Sequence, residues 1–199
     1  MIVSTHKTHP HKNTLIMRAL YNSRHFSGDT TIIIAICCTV MLIACGYTQS
    51  RLLDGSKTAP DFQIEAFGNE NYNSGQTIDL SHFHGQPIVI NFWFPSCPPC
   101  RLEMPDLEKT WKTYRSSGVQ FIGIQQVGVD SVNDGQSFIK ANGITYLTGP
   151  DKRGNISVDY NILAYPTTIF VSKEHKVIRS WTGTISEKKL EQLVQELLK

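Results

Sequence analysis

The segment that most restricts this chain runs from Ile88 to Arg101 (IVINFWFPSCPPCR). An apolar run broken only by Asn91 gives way, through a short turn, to two cysteines spaced Cys-x-x-Cys at the head of an amphipathic stretch. Such a run marks a strand covered on both faces. Beyond it, Met104, Leu107, Trp111 and Tyr114 fall on one side of a helix that ends near Ser116-Ser117-Gly118. A second buried strand is predicted over Val119 to Val127. A helix from Ser131 to Asn142 follows, with Ser131 or Asp134 as cap and Phe138 and Ile139 inward. Further strands are predicted at Ile144 to Leu147, Thr167 to Val171 and Val177 to Trp181, and a short helix near Ile156 to Tyr160. Ser186 opens a C-terminal helix whose Leu190, Leu193, Val194, Leu197 and Leu198 repeat at helical spacing. Ahead of all this, Phe62, Ile64 and Ala66 alternate, Gly68 to Gly75 is turn-like, and Ile78 and Leu80 resume, which predicts a hairpin. Strands alternating with helices make an α/β sandwich.

Cys-x-x-Cys has four ordinary readings. A structural zinc site needs four ligands; the body of the chain offers two thiols, with His82 and His84 as its only clustered imidazoles, so no metal is expected. Covalent haem attachment wants histidine after the second cysteine, where this chain has Arg101. An inert bridge across so short a loop constrains the unfolded chain little. The fourth reading is a redox dithiol, and local geometry favours it. With Cys97 as N-cap and Pro98 as first helical residue, the missing proline N–H costs nothing. The Cys97 sulfur then faces the positive end of the helix, which favours thiolate over thiol. Cys100 lies one turn on, with its amide toward Cys97 and its own sulfur expected to be more buried. Cys97 is thus the expected attacking thiol and Cys100 the resolving one. Prolines at both 98 and 99 withhold two amides from the Cys97 sulfur.

On these residues the chain resembles the TlpA/ResA-like, membrane-anchored thiol–disulfide oxidoreductases of the thioredoxin superfamily. The resemblance covers about 58–199. It rests on Gly85 to Trp93 (GQPIVINFW), on Cys97-Pro98-Pro99-Cys100-Arg101 with Glu103 and Pro105, and on Tyr160 to Val171 (YNILAYPTTIFV). It implies a thioredoxin fold, a central mixed sheet flanked by helices, with an N-terminal β-hairpin and an inserted strand–helix unit at about 119–160. It further implies that Cys97 and Cys100 form a redox-active disulfide and that Pro166 is a cis-proline facing it. Tyr165 would then offer backbone groups to an extended substrate. Pro105 would kink the active-site helix, Glu103 would assist proton transfer at Cys100, and Trp93 would pack under the dithiol within the substrate-binding region. Asn91 stands where cytoplasmic thioredoxins keep a buried Asp, a departure that fits the tethered branch. No cofactor is implied. The implied partners are disulfide-containing protein substrates, apocytochrome c being the best-precedented, and a membrane electron donor of dithiol type.

The N-terminal part sets the compartment. Thr31 to Tyr47 carries no charge, and its apolar portion, Ile32 to Ala44, interrupted only by Thr39, ends in Leu42-Ile43-Ala44-Cys45. That run has the length of a signal-peptide core and falls short of the ~20 residues a spanning helix wants. Two readings stand open: a lipobox-like end with lipidation at Cys45, or an uncleaved anchor slightly short for a bilayer. Residues 1–30 form a basic leader, and a start at Met17 would leave Arg18 and Arg24 as its cations; residues 48–57 read as a tether. In either case the basic flank stays inside and the body faces outward, giving a membrane-anchored, extracytoplasmic domain. Thiols tend to be oxidised there. Of the 19 cations and 17 anions, fifteen and sixteen lie beyond residue 49, so the body lacks the basic excess of a nucleic-acid binder.

Two rival functions share this pattern. A peroxiredoxin-like peroxidase would carry a Thr or Ser three residues before its reactive cysteine, where this chain has Phe94 before Cys97 and Cys97 before Cys100. A non-catalytic module would dock thiol proteins at Tyr165-Pro166 without turnover.

Overall fold

The computed structural model describes residues 57–199. The leader, the Thr31–Tyr47 segment with Cys45, the Met17 start and most of the tether lie outside the described residues. Among the described residues no helix is long and apolar enough to cross a membrane.

Seven strands and four α-helices follow one another in the described part. They are β1 (Gln63–Glu65), β2 (Thr77–Asp79), β3 (Ile88–Trp93), α1 (Pro98–Tyr114), β4 (Gln120–Gln126), α2 (Val132–Ala141), β5 (Leu147–Asp151), α3 (Asn155–Asp159), β6 (Thr167–Val171), β7 (Val177–Thr182) and α4 (Glu187–Leu197). β1 and β2 pair as an antiparallel hairpin with Ile64 opposite Ile78. The other five form one mixed sheet in the order β5-β4-β3-β6-β7. β3 runs parallel to β4 and antiparallel to β6, and every one of its residues is buried.

Burial on both faces follows from the alternation of β3. Val89 and Trp93 join Phe121 and Phe170 in one core with α1, α2 and α4. Ile88, Ile90 and Phe92 join Ile122, Ile124, Ile169 and Val171 in another, closed by the hairpin and by Ile156 and Tyr160. Asn91 falls on the first face, toward α1, and the site is built around that polar break. Trp93 fits there because Gly123, opposite Asn91 on β4, leaves room for the indole. A Cβ at 123 would stand 3.2 Å from the indole Nε1 and 2.8 Å from Thr148 Cγ2.

Most predicted elements stand where the pattern put them, and three details differ. The strand expected at Ile144 to Leu147 lies instead at Leu147–Asp151. Its sequence, LTGPD, carries turn-like Gly149 and Pro150, which a sheet edge tolerates. Gly149 is required there: a Cβ would stand 2.3 Å from the Glu65 carbonyl oxygen of the hairpin that packs over this edge. Second, Ser186 occupies the N-cap of α4 without a side-chain capping bond. The first turn is fastened by Lys109–Glu187, 2.7 Å, joining α4 to α1. Third, Leu198 is exposed rather than packed. The cap of α2, by contrast, is a full capping box between Ser131 and Asp134.

Candidate active site

β3 ends at Trp93, and the chain turns through Phe94-Pro95-Ser96, with the Cys97 amide donating to the Phe94 carbonyl at 3.1 Å. Cys97 then stands as N-cap of α1 in extended conformation (φ −78°, ψ 107°), with Pro98 at the first helical position. The Cys97 and Cys100 sulfurs are bonded at 2.02 Å, with Cα atoms 5.3 Å apart. The Cys97 Sγ also accepts from the Cys100 amide at 3.2 Å. An N-cap side chain draws on the amides of the second and third helical residues. The second is Pro99, which has none, so Cys100 supplies that bond alone.

Exposure does not distinguish the two sulfurs in this oxidised form: Cys97 is 3% exposed and Cys100 1%. The expected contrast in burial is therefore small, and position on the helix is what separates them. Pro105 sits inside α1 without ending it.

Below the dithiol lies a buried acid. Glu103, one turn beyond Cys100, is 1% exposed. Its Oε1 accepts from Asn91 Nδ2 at 2.8 Å and its Oε2 from the Ile185 amide at 2.9 Å. Asn91 Nδ2 also donates to Thr168 Oγ1 at 3.0 Å. Burial pushes the Glu103 carboxyl up to about 7, against the pull of the Ile185 and Asn91 hydrogen bonds, with Asp106 adding a smaller push. A carboxyl in that range holds and gives up a proton near neutral pH.

The remaining expected residues lie around this centre. The Tyr165–Pro166 peptide bond is cis. Pro166 is buried and Tyr165 half-buried. The Tyr165 ring meets Phe94 edge-on at 5.4 Å, and its hydroxyl donates to Gln126 Oε1 at 2.9 Å, an oxygen that Ser157 Oγ reaches at 3.1 Å. Trp93 shares the buried cluster of both cysteines and packs on Phe138 at 5.4 Å. It is wholly buried, so it supports the site from within and offers no surface to a substrate.

Sequence reasoning missed four participants: Thr168 and the Ile185 amide as partners around Glu103 and Asn91, Gln126 behind Tyr165, and Asp130. The Asp130 carboxylate accepts from both the amide (2.9 Å) and the hydroxyl (2.8 Å) of Ser96, the residue before Cys97. These partners lie 31 to 82 residues away in the chain, beyond the reach of any local pattern.

Residues 56–180 match the model of the AhpC/TSA family. The chain belongs to that family. Within it, the similarity to ResA-type proteins is extensive. The thiol–disulfide oxidoreductase ResA of Halalkalibacterium halodurans is 30% identical over 162 residues, covering 80% of this chain and 90% of the relative. Thioredoxin-like protein YneN of Bacillus subtilis is 33% identical over 138 residues, covering 67% and 75%. Among solved structures, a secreted Mycobacterium tuberculosis disulfide oxidoreductase superposes with TM-score 0.59 at 26% identity, covering 68% of this chain and 96% of its own. StoA from Bacillus subtilis, at TM-score 0.59 and 22% identity over 68% and 97%, shows the fold alone. This AhpC/TSA member is therefore a thiol–disulfide oxidoreductase of thioredoxin fold, an enzyme whose redox-active pair is Cys97–Cys100. That excludes the non-catalytic docking module.

Proposed function

We propose that the chain works outside the cytoplasm, held at the membrane by its N-terminal segment, as a reductase of protein disulfides whose substrates include the haem-site disulfide of apocytochrome c. The observation that carries the thiol-exchange chemistry of this reading is the Cys97 sulfur at the head of α1, accepting the Cys100 amide, which marks it as the attacking thiol. The uncharged stretch ending at Cys45 supports the location.

In the reduced protein the Cys97 thiolate attacks one sulfur of a substrate disulfide. A mixed disulfide forms and the first substrate thiolate leaves. Cys100 then loses its proton to the Glu103 carboxylate and attacks the Cys97 sulfur. The second substrate thiolate leaves and the Cys97–Cys100 bond closes. Two electrons have passed to the substrate, and a membrane dithiol donor returns them by the reverse exchange. The extended substrate segment lies along Tyr165, whose own N–H and C=O enter no backbone pair among the described residues. Such free backbone groups suit strand-like addition of a peptide. Pro166 follows in the cis form, and Trp93 and Phe138 support the dithiol from within the core.

A Cys100→Ala chain expressed in its native membranes tests this directly. Without the resolving thiol, mixed disulfides at Cys97 persist, and they are expected to hold proteins with paired cysteines, apocytochrome c among them, released by dithiothreitol. Capture by Cys97→Ala instead would reverse the thiol roles. Captured partners lacking any c-type apoprotein would remove the cytochrome assignment.

A further inference from the structure

We propose that Asp130 is a positioning residue for the dithiol, holding Ser96 in place and setting a negative charge beside Cys97 that biases the pair toward its disulfide form. The inference rests on the assignment of Cys97 as the attacking thiolate.

Three observations support it. First, the contact is two-pronged: one carboxylate oxygen of Asp130 takes both the amide and the hydroxyl of Ser96. The residue next to Cys97 is thereby fixed by an element that is far away in the chain. Second, Asp130 is itself held. Its backbone bridges to Val127, and the following residue opens the α2 capping box, with the Ser131 carbonyl accepting from Gln125 Nε2 at 2.9 Å. A carboxylate carried on so anchored a backbone keeps its place. Third, its charge is not cancelled locally. Asp130 takes part in none of the ion pairs among the described residues. Arg101, the cation in the first turn of α1, is directed to the Pro95 carbonyl at 3.4 Å and the Phe138 ring at 5.3 Å. The nearby acid Asp134 is engaged with Ser131.

The first turn of α1 carries no acid of its own. Asp130, borrowed from the β4–α2 connection, sets its carboxylate on Ser96, the residue just before the helix head. A like charge opposes formation of the thiolate. Whatever disfavours the thiolate disfavours the reduced pair, so Asp130 makes the dithiol a stronger reductant than the helix head alone would. Donation from Ser96 and the charge effect are separable, because asparagine keeps an acceptor and loses the charge.

The test titrates Cys97 by thiolate absorbance in a Cys100→Ala background, with Asp130, Asp130→Asn and Asp130→Ala compared. Asp130→Asn is expected to lower the Cys97 midpoint by about 0.5–1 unit. The difference should shrink as salt is raised. With both cysteines present and at a pH above that midpoint, equilibrium against a dithiol buffer should move roughly three- to tenfold toward the reduced form. Asn behaving as wild type while Ala departs would reduce Asp130 to a geometric latch and overturn the charge proposal, as would no change in either variant. If Cys97 in the Cys100→Ala parent shows no midpoint below that of free cysteine, the attacking-thiol assignment has failed, and with it this proposal; the parent alone reveals that case.

Discussion

Cys97→Ser abolishes turnover: reduction of an insulin-type disulfide is expected to fall by at least about a thousandfold, because the thiolate is the nucleophile and a serine hydroxyl stays protonated. The substitution exchanges one sulfur for oxygen at the N-cap, and serine is itself a favoured cap, so helix α1 should persist. Loss of the bridge removes only a short-loop constraint. Circular dichroism should therefore remain native while activity vanishes. Cys100→Ala behaves differently. It retains a single round of attack, seen as one equivalent of substrate thiol released, and then stalls. Turnover by Cys97→Ser above a few per cent of wild type would make Cys100 a competent nucleophile, and the distinction drawn from helix position would be wrong. Hydrogen peroxide should not serve either protein as a substrate. No hydroxyl stands three residues before either cysteine, and that of Ser96 is committed to Asp130.

The second large effect is on stability, and it comes from Glu103. Its carboxyl is held near 7 in the fold against 4.5 when free. Between those values the folded chain keeps a proton that the unfolded chain has released, so stability falls as pH rises through this window. The contribution is fully present below about 4.5, and by pH 8 about 3 kcal/mol has been lost. Glu103→Gln has no proton to release. Urea unfolding at pH 4.5 and pH 8 should show wild type losing about 3 kcal/mol relative to the variant across that range. Parallel profiles would mean the acid titrates as an ordinary carboxylate. The same group sits where Cys100 must shed a proton, so the pH profile of the resolving step should lose its inflection near neutrality in the variant. Glutamine also leaves one of the two donors, Asn91 Nδ2 or the Ile185 amide, without an acceptor, which lowers stability at every pH. The slope rather than the level carries the test.

What was legible in the sequence was whatever a short window encodes. The β3 run, the Cys-Pro-Pro-Cys helix start, a cap at Ser131 or Asp134 and the leucine spacing of α4 each rest on neighbours within a few residues. The strand β5 escaped because its sheet contact overrides a turn-like composition: Gly149 is there for the hairpin that presses on the edge, a partner more than eighty residues upstream. The site divides in the same way. Cys97 and Cys100 stand at a helix head at a spacing that announces itself, and Glu103 enters only through the family resemblance; what makes it a neutral-range acid is burial, which outweighs the Asn91 and Ile185 hydrogen bonds. Asp130 and Gln126 carry no mark in their own surroundings. Their roles arise only when the C-terminal end of β4 is laid beside the turn before Cys97 and the loop before Pro166.

The most direct measurement is the pair of thiol midpoints in the reduced chain, taken by thiolate absorbance and assigned by pH-dependent alkylation at each cysteine. A sulfur at the N-cap of α1 predicts a Cys97 midpoint clearly below the roughly 8.5 of a free thiol, with Cys100, one turn along and away from the helix head, above it. Equal midpoints, or Cys100 as the more acidic of the two, would contradict the account at its foundation.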